Sequence, residues 1–117
     1  MPIYYHATPY ENLGSILANG IRLSFGEVYC SGVAQTAACW VSFTRRQHEQ
    51  IITIPFDTGD VQLPVGVDHS PIMTEKILGV DNATAAFVSH SPILPHQIIL
   101  SDIRVWQNPW VIKGDDS

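Results

Sequence analysis

The N-terminal segment constrains the fold most, because it carries the signals of a strand that passes directly into a capped helix. Residues 3–6 form a short segment of β-prone residues that a turn-like sequence follows, which predicts an opening strand. Thr8 is predicted to cap the next helix, with Pro9 in the first helical position and Glu11 completing a capping box. Apolar residues then recur on one helix face, and Gly20 supplies the stop. A chain that begins this way combines strands and helices.

The rest of the chain continues this mixture without a regular strand–helix repeat. Further strands are predicted at residues 21–23, 27–30, 50–56, 61–63, 85–89 and 98–106. A second helix, rich in small residues, is predicted from the cap Ser31 to near Phe43, and a brief third helix at 73–78. The pattern predicts an α+β layer fold, and a β-rich barrel with two attached helices is the alternative.

Length and composition favour one globular domain. The chain has 117 residues, 45% of them hydrophobic and 15% charged, and it contains no apolar run near the eighteen or so residues that a membrane helix needs. We expect a single domain over residues 1–110 and a polar tail over 111–117. The N-terminus carries no secretory leader, so we expect a cytoplasmic protein without membrane attachment.

The charge balance disfavours nucleic acid as a partner. The formal net charge is −5 and only six residues are Lys or Arg, whereas binding to a phosphate backbone depends on such residues. Arg45, Arg46 and His48 form a local basic spot, which suits either a phosphate or acidic partner or a solvated helix end. Cys30 and Cys39 lack the spacing of a metal or redox pair and are predicted to be buried free thiols. The histidines and aspartates show no metal-binding spacing, so no metal site is predicted.

One stretch carries a family resemblance. The run from Asn12 to Arg22, NLGSILANGIR, follows the triplet His6-Ala7-Thr8 and precedes a strand that ends near Tyr29. This order is similar to the first half of ADP-ribosyltransferases, closest to the diphtheria-toxin-like branch with the poly-ADP-ribose polymerases and to the DarT-like enzymes. The resemblance implies an α+β fold with a split mixed β-sheet and two or three short helices. It also implies NAD as the substrate or ligand.

The resemblance further implies roles for individual residues. His6 would hydrogen-bond a ribose hydroxyl of NAD, the backbone of Ala7 would meet the nicotinamide amide, and Tyr29 would stack on the nicotinamide ring. Ser31 would place a hydroxyl beside the nicotinamide ribose. Thr8 and Arg22 complete the predicted NAD-binding set. Taken singly, each residue also suits a structural role in a strand end, a core or a helix cap.

The family's catalytic glutamate is missing from its expected position. The closing segment SPILPHQI, residues 91–98, is similar to the end of the family pattern, but Ala85 and Ala86 stand where the glutamate should precede it. That carboxylate stabilises the positive charge that develops when nicotinamide leaves. Glu75 and Glu27 are the candidate replacements.

Two functions follow from the resemblance. The first is transfer of ADP-ribose from NAD to a macromolecule, with protein favoured over nucleic acid because the chain is acidic. The alternative is an inactive relative that serves as a binding module, such as a phage-encoded inhibitor of a host protein. The sequence does not determine the oligomeric state.

Overall fold

A computed structural model of the protein describes residues 3–24, 26–59, 61–64 and 87–111. Its strands and helices follow one another in the order β1, α1, β2, α2, β3, β4, β5. The strands are β1 (Ile3–Pro9), β2 (Val28–Cys30), β3 (Gln50–Asp57), β4 (Phe87–Ser89) and β5 (Arg104–Gln107), and the helices are α1 (Leu13–Asn19) and α2 (Ala34–Thr44). Short 3-10 turns cover Tyr10–Asn12, Pro95–Gln97 and Leu100–Asp102.

The strands form two sheets. One sheet has the order β1-β3-β5 and the other pairs β2 with β4. A single antiparallel bridge between Tyr5 and Ser31 connects β1 with the chain just after β2. The α+β class is therefore confirmed. All strand pairings within the described ranges are antiparallel, so the parallel pair that a mixed sheet requires is not seen there.

Strand β3 lies at the centre of the three-stranded sheet, as the run 50–56 predicted. Its neighbours are β1 on one side and β5 on the other, both antiparallel. The side chains of Ile52, Ile54 and Phe56 are fully buried and join the larger core cluster, which also includes Tyr4 and Val28. This cluster therefore joins the two sheets, while a second, smaller cluster of Ala7, Ala37 and Ile51 packs α2 against the first sheet.

The predicted capping box at Thr8 is wrong. Strand β1 continues through Thr8 and Pro9, which pair with Ile52 and Ile51 of β3. The hydroxyl of Thr8 accepts a hydrogen bond from the Asn12 side chain at 2.8 Å and caps no backbone N–H. A 3-10 turn follows, and α1 begins only at Leu13.

The end of α1 confirms the prediction made for Gly20. Its φ is +79°, and its N–H donates to the carbonyl of Ile16 at 2.7 Å. A Cβ at this position would overlap the backbone carbonyl oxygen of Ile93. Only glycine combines this backbone angle with such a close approach of a neighbouring chain segment.

Helix α2 begins later than predicted. Its N-terminal flanking residue is Val33, not Ser31, and no side chain caps it. Instead, the Ser31 hydroxyl accepts a hydrogen bond from the Val33 N–H at 3.2 Å in a local turn. The predicted end near Phe43 is confirmed to within one residue.

Other predictions fail or cannot be compared. Residues 21–23 form only an isolated bridge at Ile21, 61–63 form no strand, and a 3-10 turn interrupts 98–106. The predicted helix at 73–78, the positions Ala85 and Ala86, and most of the 111–117 tail lie outside the described residues. In the described part of the chain, no helix is long and apolar enough to cross a membrane.

Candidate functional site

An open cavity of about 730 Å³ lies between the end of β1, strand β2 and helix α2. It brings together every predicted site residue that the structure describes. These residues are His6, Ala7, Thr8, Arg22, Glu27, Tyr29 and Ser31. They come from separate segments of the chain, so the fold and not sequence proximity assembles them. Glu75, the other candidate carboxylate, lies outside the described residues.

The cavity opens where β1 and β2 separate. Tyr5 and Ser31 exchange two backbone hydrogen bonds, of 2.8 and 2.9 Å. Immediately beyond this bridge, the Nδ1 atom of His6 lies 2.8 Å from the carbonyl oxygen of Tyr29. An imidazole therefore bridges the two strands where regular pairing would otherwise continue, and the following residues of β1 line the cavity.

The contact with Tyr29 fixes the chemistry of the His6 ring. A carbonyl oxygen only accepts, so Nδ1 carries the proton and donates it. Burial lowers the pKa of His6 from its ordinary value of 6.5, and the bond to the Tyr29 carbonyl offsets this effect only in part. The ring is therefore neutral at pH 7, and its Nε2 atom is an acceptor suited to a ligand hydroxyl.

Tyr29 and Ser31 differ sharply in exposure although they are neighbours along the chain. Tyr29 is 37% exposed and lines the cavity, which leaves ring surface for contact with a ligand. Ser31 is only 1% exposed, and its hydroxyl is engaged by the Val33 N–H. Thr8 is also buried, with its hydroxyl bound to Asn12. Tyr29 is thus the more accessible of these residues.

One face of α2 forms a wall of the cavity. Ala37, Trp40, Val41 and Thr44 follow the spacing of a single helical face and all line the cavity. Ala37 packs against Ala7 of β1 and Ile51 of β3. Because these contacts involve small side chains, α2 lies close to the sheet, as its composition predicted. At 1.5 Å per residue, the wall is about 10 Å long.

Arginine and glutamate side chains make the cavity polar at its edges. Arg22, Arg45 and Glu27 line it, while His6 is neutral. Within the described ranges the only ion pair joins His48 and Glu11 at 3.8 Å, so neither arginine is neutralised by a described carboxylate. Two cationic groups and one anionic group favour a ligand with negative charge.

Cys30 of β2 also lines the cavity, but its surroundings make it a poor nucleophile. Its thiol is buried and donates to the carbonyl of Phe87 at 3.5 Å. Burial raises its pKa to about 12, so the reactive thiolate is scarce at pH 7. Both cysteines are free as predicted, but only Cys30 is buried, since Cys39 is partly exposed. Among the residues that the structure describes, no cluster of three His, Cys, Asp or Glu side chains could hold a metal ion.

The structure adds cavity residues that the sequence interpretation missed. They are Pro9, Asn12, Ser24, Val28, Cys30, Ala37, Trp40, Val41, Thr44 and Arg45. The helical spacing of Ala37, Trp40, Val41 and Thr44 places them on one face of the helix that follows Tyr29. This spacing is a sequence signal that could have identified them as lining the same cavity. Arg45 was noticed only as part of a basic spot, because the sequence does not show which of two adjacent arginines meets the cavity.

Comparison with known proteins adds no assignment. No family model matches the chain, and no curated protein is significantly similar to it in sequence. The geometry of the cavity and the motif resemblance are therefore the two indications of function for this chain.

Proposed function

We propose that the chain is an ADP-ribosyltransferase-like domain that binds NAD in the cavity and transfers ADP-ribose to a macromolecular target, with protein as the favoured acceptor. The observation that carries this proposal is the joint position of His6 and Tyr29. The motif resemblance selects these two residues from the sequence alone, and they lie side by side at one open cavity. A split ADP-ribosyltransferase-like sheet is part of the same proposal.

The cavity offers groups that suit the parts of NAD. The His6 Nε2 acceptor matches a ribose hydroxyl, and the exposed Tyr29 ring offers an aromatic surface for the nicotinamide. In the reaction, the bond between the nicotinamide nitrogen and the ribose C1′ breaks, and an acceptor atom of the target forms a new bond to C1′. The acceptor proton must pass to a base, and positive charge on the ribose needs a nearby carboxylate. Glu27, which lines the cavity, and Glu75 are the candidates.

Calorimetric titration with NAD tests the binding step. We expect His6→Ala and Tyr29→Ala each to weaken NAD binding about tenfold or more, since each loses a direct ligand contact. The matched controls are His96→Ala and Tyr10→Ala, which alter an exposed histidine and an exposed tyrosine outside the cavity and should keep wild-type affinity. Equal affinity of all four variants, or no NAD binding by the wild type, would remove the proposal.

Transfer is tested separately with labelled NAD and a cell extract. Labelled protein should accumulate with the wild type, and comparing Glu27→Gln with Glu75→Gln should show which carboxylate serves. Full activity in both variants would exclude both residues as the essential carboxylate.

A second function is favoured by one observation, the alanines at positions 85 and 86 in place of the expected glutamate. On this alternative the domain is an inactive relative that acts as a binding module, such as a phage-encoded inhibitor of a host protein. It predicts one stoichiometric protein partner whose binding is unchanged by His6→Ala, together with no transfer of label.

A further inference from the structure

A buried asparagine, far along the chain from the motif residues of the cavity, holds the C-terminal end of α2. Asn108 follows β5 and is only 5% exposed. Its Nδ2 atom donates to the carbonyls of Ser42 at 2.9 Å, Arg45 at 3.2 Å and His48 at 2.9 Å. Its Oδ1 atom accepts from the Trp110 N–H at 2.9 Å, and its own N–H donates to the Glu49 carbonyl at 2.8 Å. The residue is thus fixed at every polar atom of its side chain.

These contacts close the carbonyl end of the helix. The amide has two N–H groups for three carbonyls, so one N–H is shared, and no carboxylate of the same shape could replace it. Arg46 assists, because its Nε donates to the Phe43 carbonyl at 3.1 Å and its guanidinium lies 4.4 Å from the centre of the Phe43 ring. In the last turn of α2, the carbonyls of Ser42 and Phe43 therefore accept from Asn108 and Arg46, and not from the side chain of Arg45.

The contacts at the end of α2 do not use the side chain of Arg45, which instead lines the cavity. It lines the cavity next to Thr44, whereas Arg46 does not. No described carboxylate forms an ion pair with it. Its backbone is held on both sides, since its N–H donates to the Val41 carbonyl at 2.8 Å and its carbonyl accepts from Asn108. Because the backbone is already fixed, a ligand has only the side chain of Arg45 to order.

We propose that Arg45 forms a phosphate-binding subsite at the rim of the cavity and that Asn108 is the positioning residue that holds it there. This rests on the proposed function, because it assigns the diphosphate of the dinucleotide to the rim that Arg45 provides. A guanidinium matches a phosphate through two parallel N–H bonds. Arg22, on the same cavity, adds a second positive charge in a chain whose net charge is −5. The ligand class is a diphosphate-bearing nucleotide.

Calorimetry with ADP-ribose, inorganic pyrophosphate and nicotinamide tests the subsite. We expect Arg45→Gln to weaken binding of ADP-ribose and pyrophosphate about tenfold while leaving nicotinamide binding unchanged. Arg104→Gln is the matched control, because it makes the same charge change at an exposed position of β5 outside the cavity, and it should bind all three ligands as the wild type does. Wild-type ADP-ribose affinity in Arg45→Gln would overturn the subsite.

A double-mutant cycle tests the positioning role. Asn108→Ala should weaken ADP-ribose binding in the wild-type background and have no further effect in the Arg45→Gln background, because it acts through Arg45. A purely structural role would give equal losses in both backgrounds, which would overturn the role of Asn108. If Asn108→Ala does not fold, Asn108→Ser supplies the same cycle with a shorter polar side chain.

The outcomes separate this proposal from the proposed function. If pyrophosphate binding depends on Arg45 but NAD does not bind, the phosphate subsite is supported and the proposed NAD-binding function is contradicted. NAD binding that depends on His6 and Tyr29 but not on Arg45 would keep the proposed function and remove the subsite.

Discussion

At the scale of single residues, His6 combines a structural and a chemical role. Its Nδ1 proton holds the Tyr29 carbonyl at the point where β1 and β2 separate, and its Nε2 atom is the acceptor of the neutral ring. The same bond that supports the junction of the two strands therefore selects the tautomer that a ribose hydroxyl requires. A substitution of His6 is expected to affect both stability and ligand binding, so each must be measured.

The lowered pKa of His6 predicts a specific dependence of stability on pH. The unfolded chain gains a proton on His6 below its ordinary pKa of 6.5, whereas the native ring stays neutral to lower pH. The unfolded state then binds more protons, so the free energy of unfolding falls as pH decreases below 6.5. One proton contributes at most about 1.4 kcal/mol per pH unit to this slope.

Urea denaturation between pH 5 and pH 8 measures this contribution. His6→Gln should be less stable at neutral pH but should lose part of the decline seen in the wild type toward pH 5. His96→Gln, which changes an exposed histidine, should keep that decline. Parallel stability curves for His6→Gln and the wild type would contradict the prediction.

At the scale of elements, the sequence signals for helix ends and strands predict the structure where no distant segment forms hydrogen bonds with the same backbone. Gly20 ends α1 as predicted, and β3 occupies the predicted run because its β-branched residues suit a buried central strand. Thr8 and Ser31 were assigned wrongly as caps for one reason: each contributes to a contact between β1 and a distant segment. Sheet pairing overrides a cap worth about 1 kcal/mol, and a single sequence does not show it.

The same limit applies to the candidate site. The motif order predicts that His6 and Tyr29 lie at one cavity, whereas nothing in the sequence predicts the contacts of Asn108. It contacts the last turn of α2 across more than sixty positions of sequence, through its bond to the Ser42 carbonyl. No spacing or periodicity relates an asparagine after a closing strand to the end of a helix. Such contacts depend on the complete arrangement of the sheet.

The two glycines of the first helical segment give opposite predictions. Gly20→Ala places a methyl group on the Ile93 carbonyl at a φ of +79°, so it should lower the free energy of unfolding by about 2 kcal/mol or more. Gly14 lies inside α1, and a Cβ there meets nothing within 4 Å. Gly14→Ala should therefore raise the free energy of unfolding by about 0.5–1 kcal/mol.

Chemical denaturation followed by circular dichroism measures both changes. The pair controls for the chemical change itself, because each variant adds one methyl group to a glycine. A neutral Gly20→Ala would contradict the described end of α1, and destabilisation by Gly14→Ala would contradict the open space described around Gly14.

At the scale of the whole molecule, the shared core predicts that the two sheets unfold together. The cluster that contains Ile54 of the first sheet also contains Cys30 of the second. The Cys30 thiol is buried and its pKa is about 12, so it reacts with alkylating reagents only after its surroundings open. Cys30 therefore reports the opening of the second sheet.

Ile54→Val tests the coupling, because it removes one methyl group from a fully buried side chain of the first sheet. It should cost about 1 kcal/mol, which raises the population of the unfolded state about fivefold. Alkylation of Cys30, followed by mass spectrometry under native conditions, should accelerate by the same factor if exposure requires global unfolding. Val105→Ala, at a half-exposed position of β5, should leave the rate nearly unchanged. An unaltered Cys30 rate in Ile54→Val would show that the β2–β4 sheet, and with it one wall of the cavity, opens on its own.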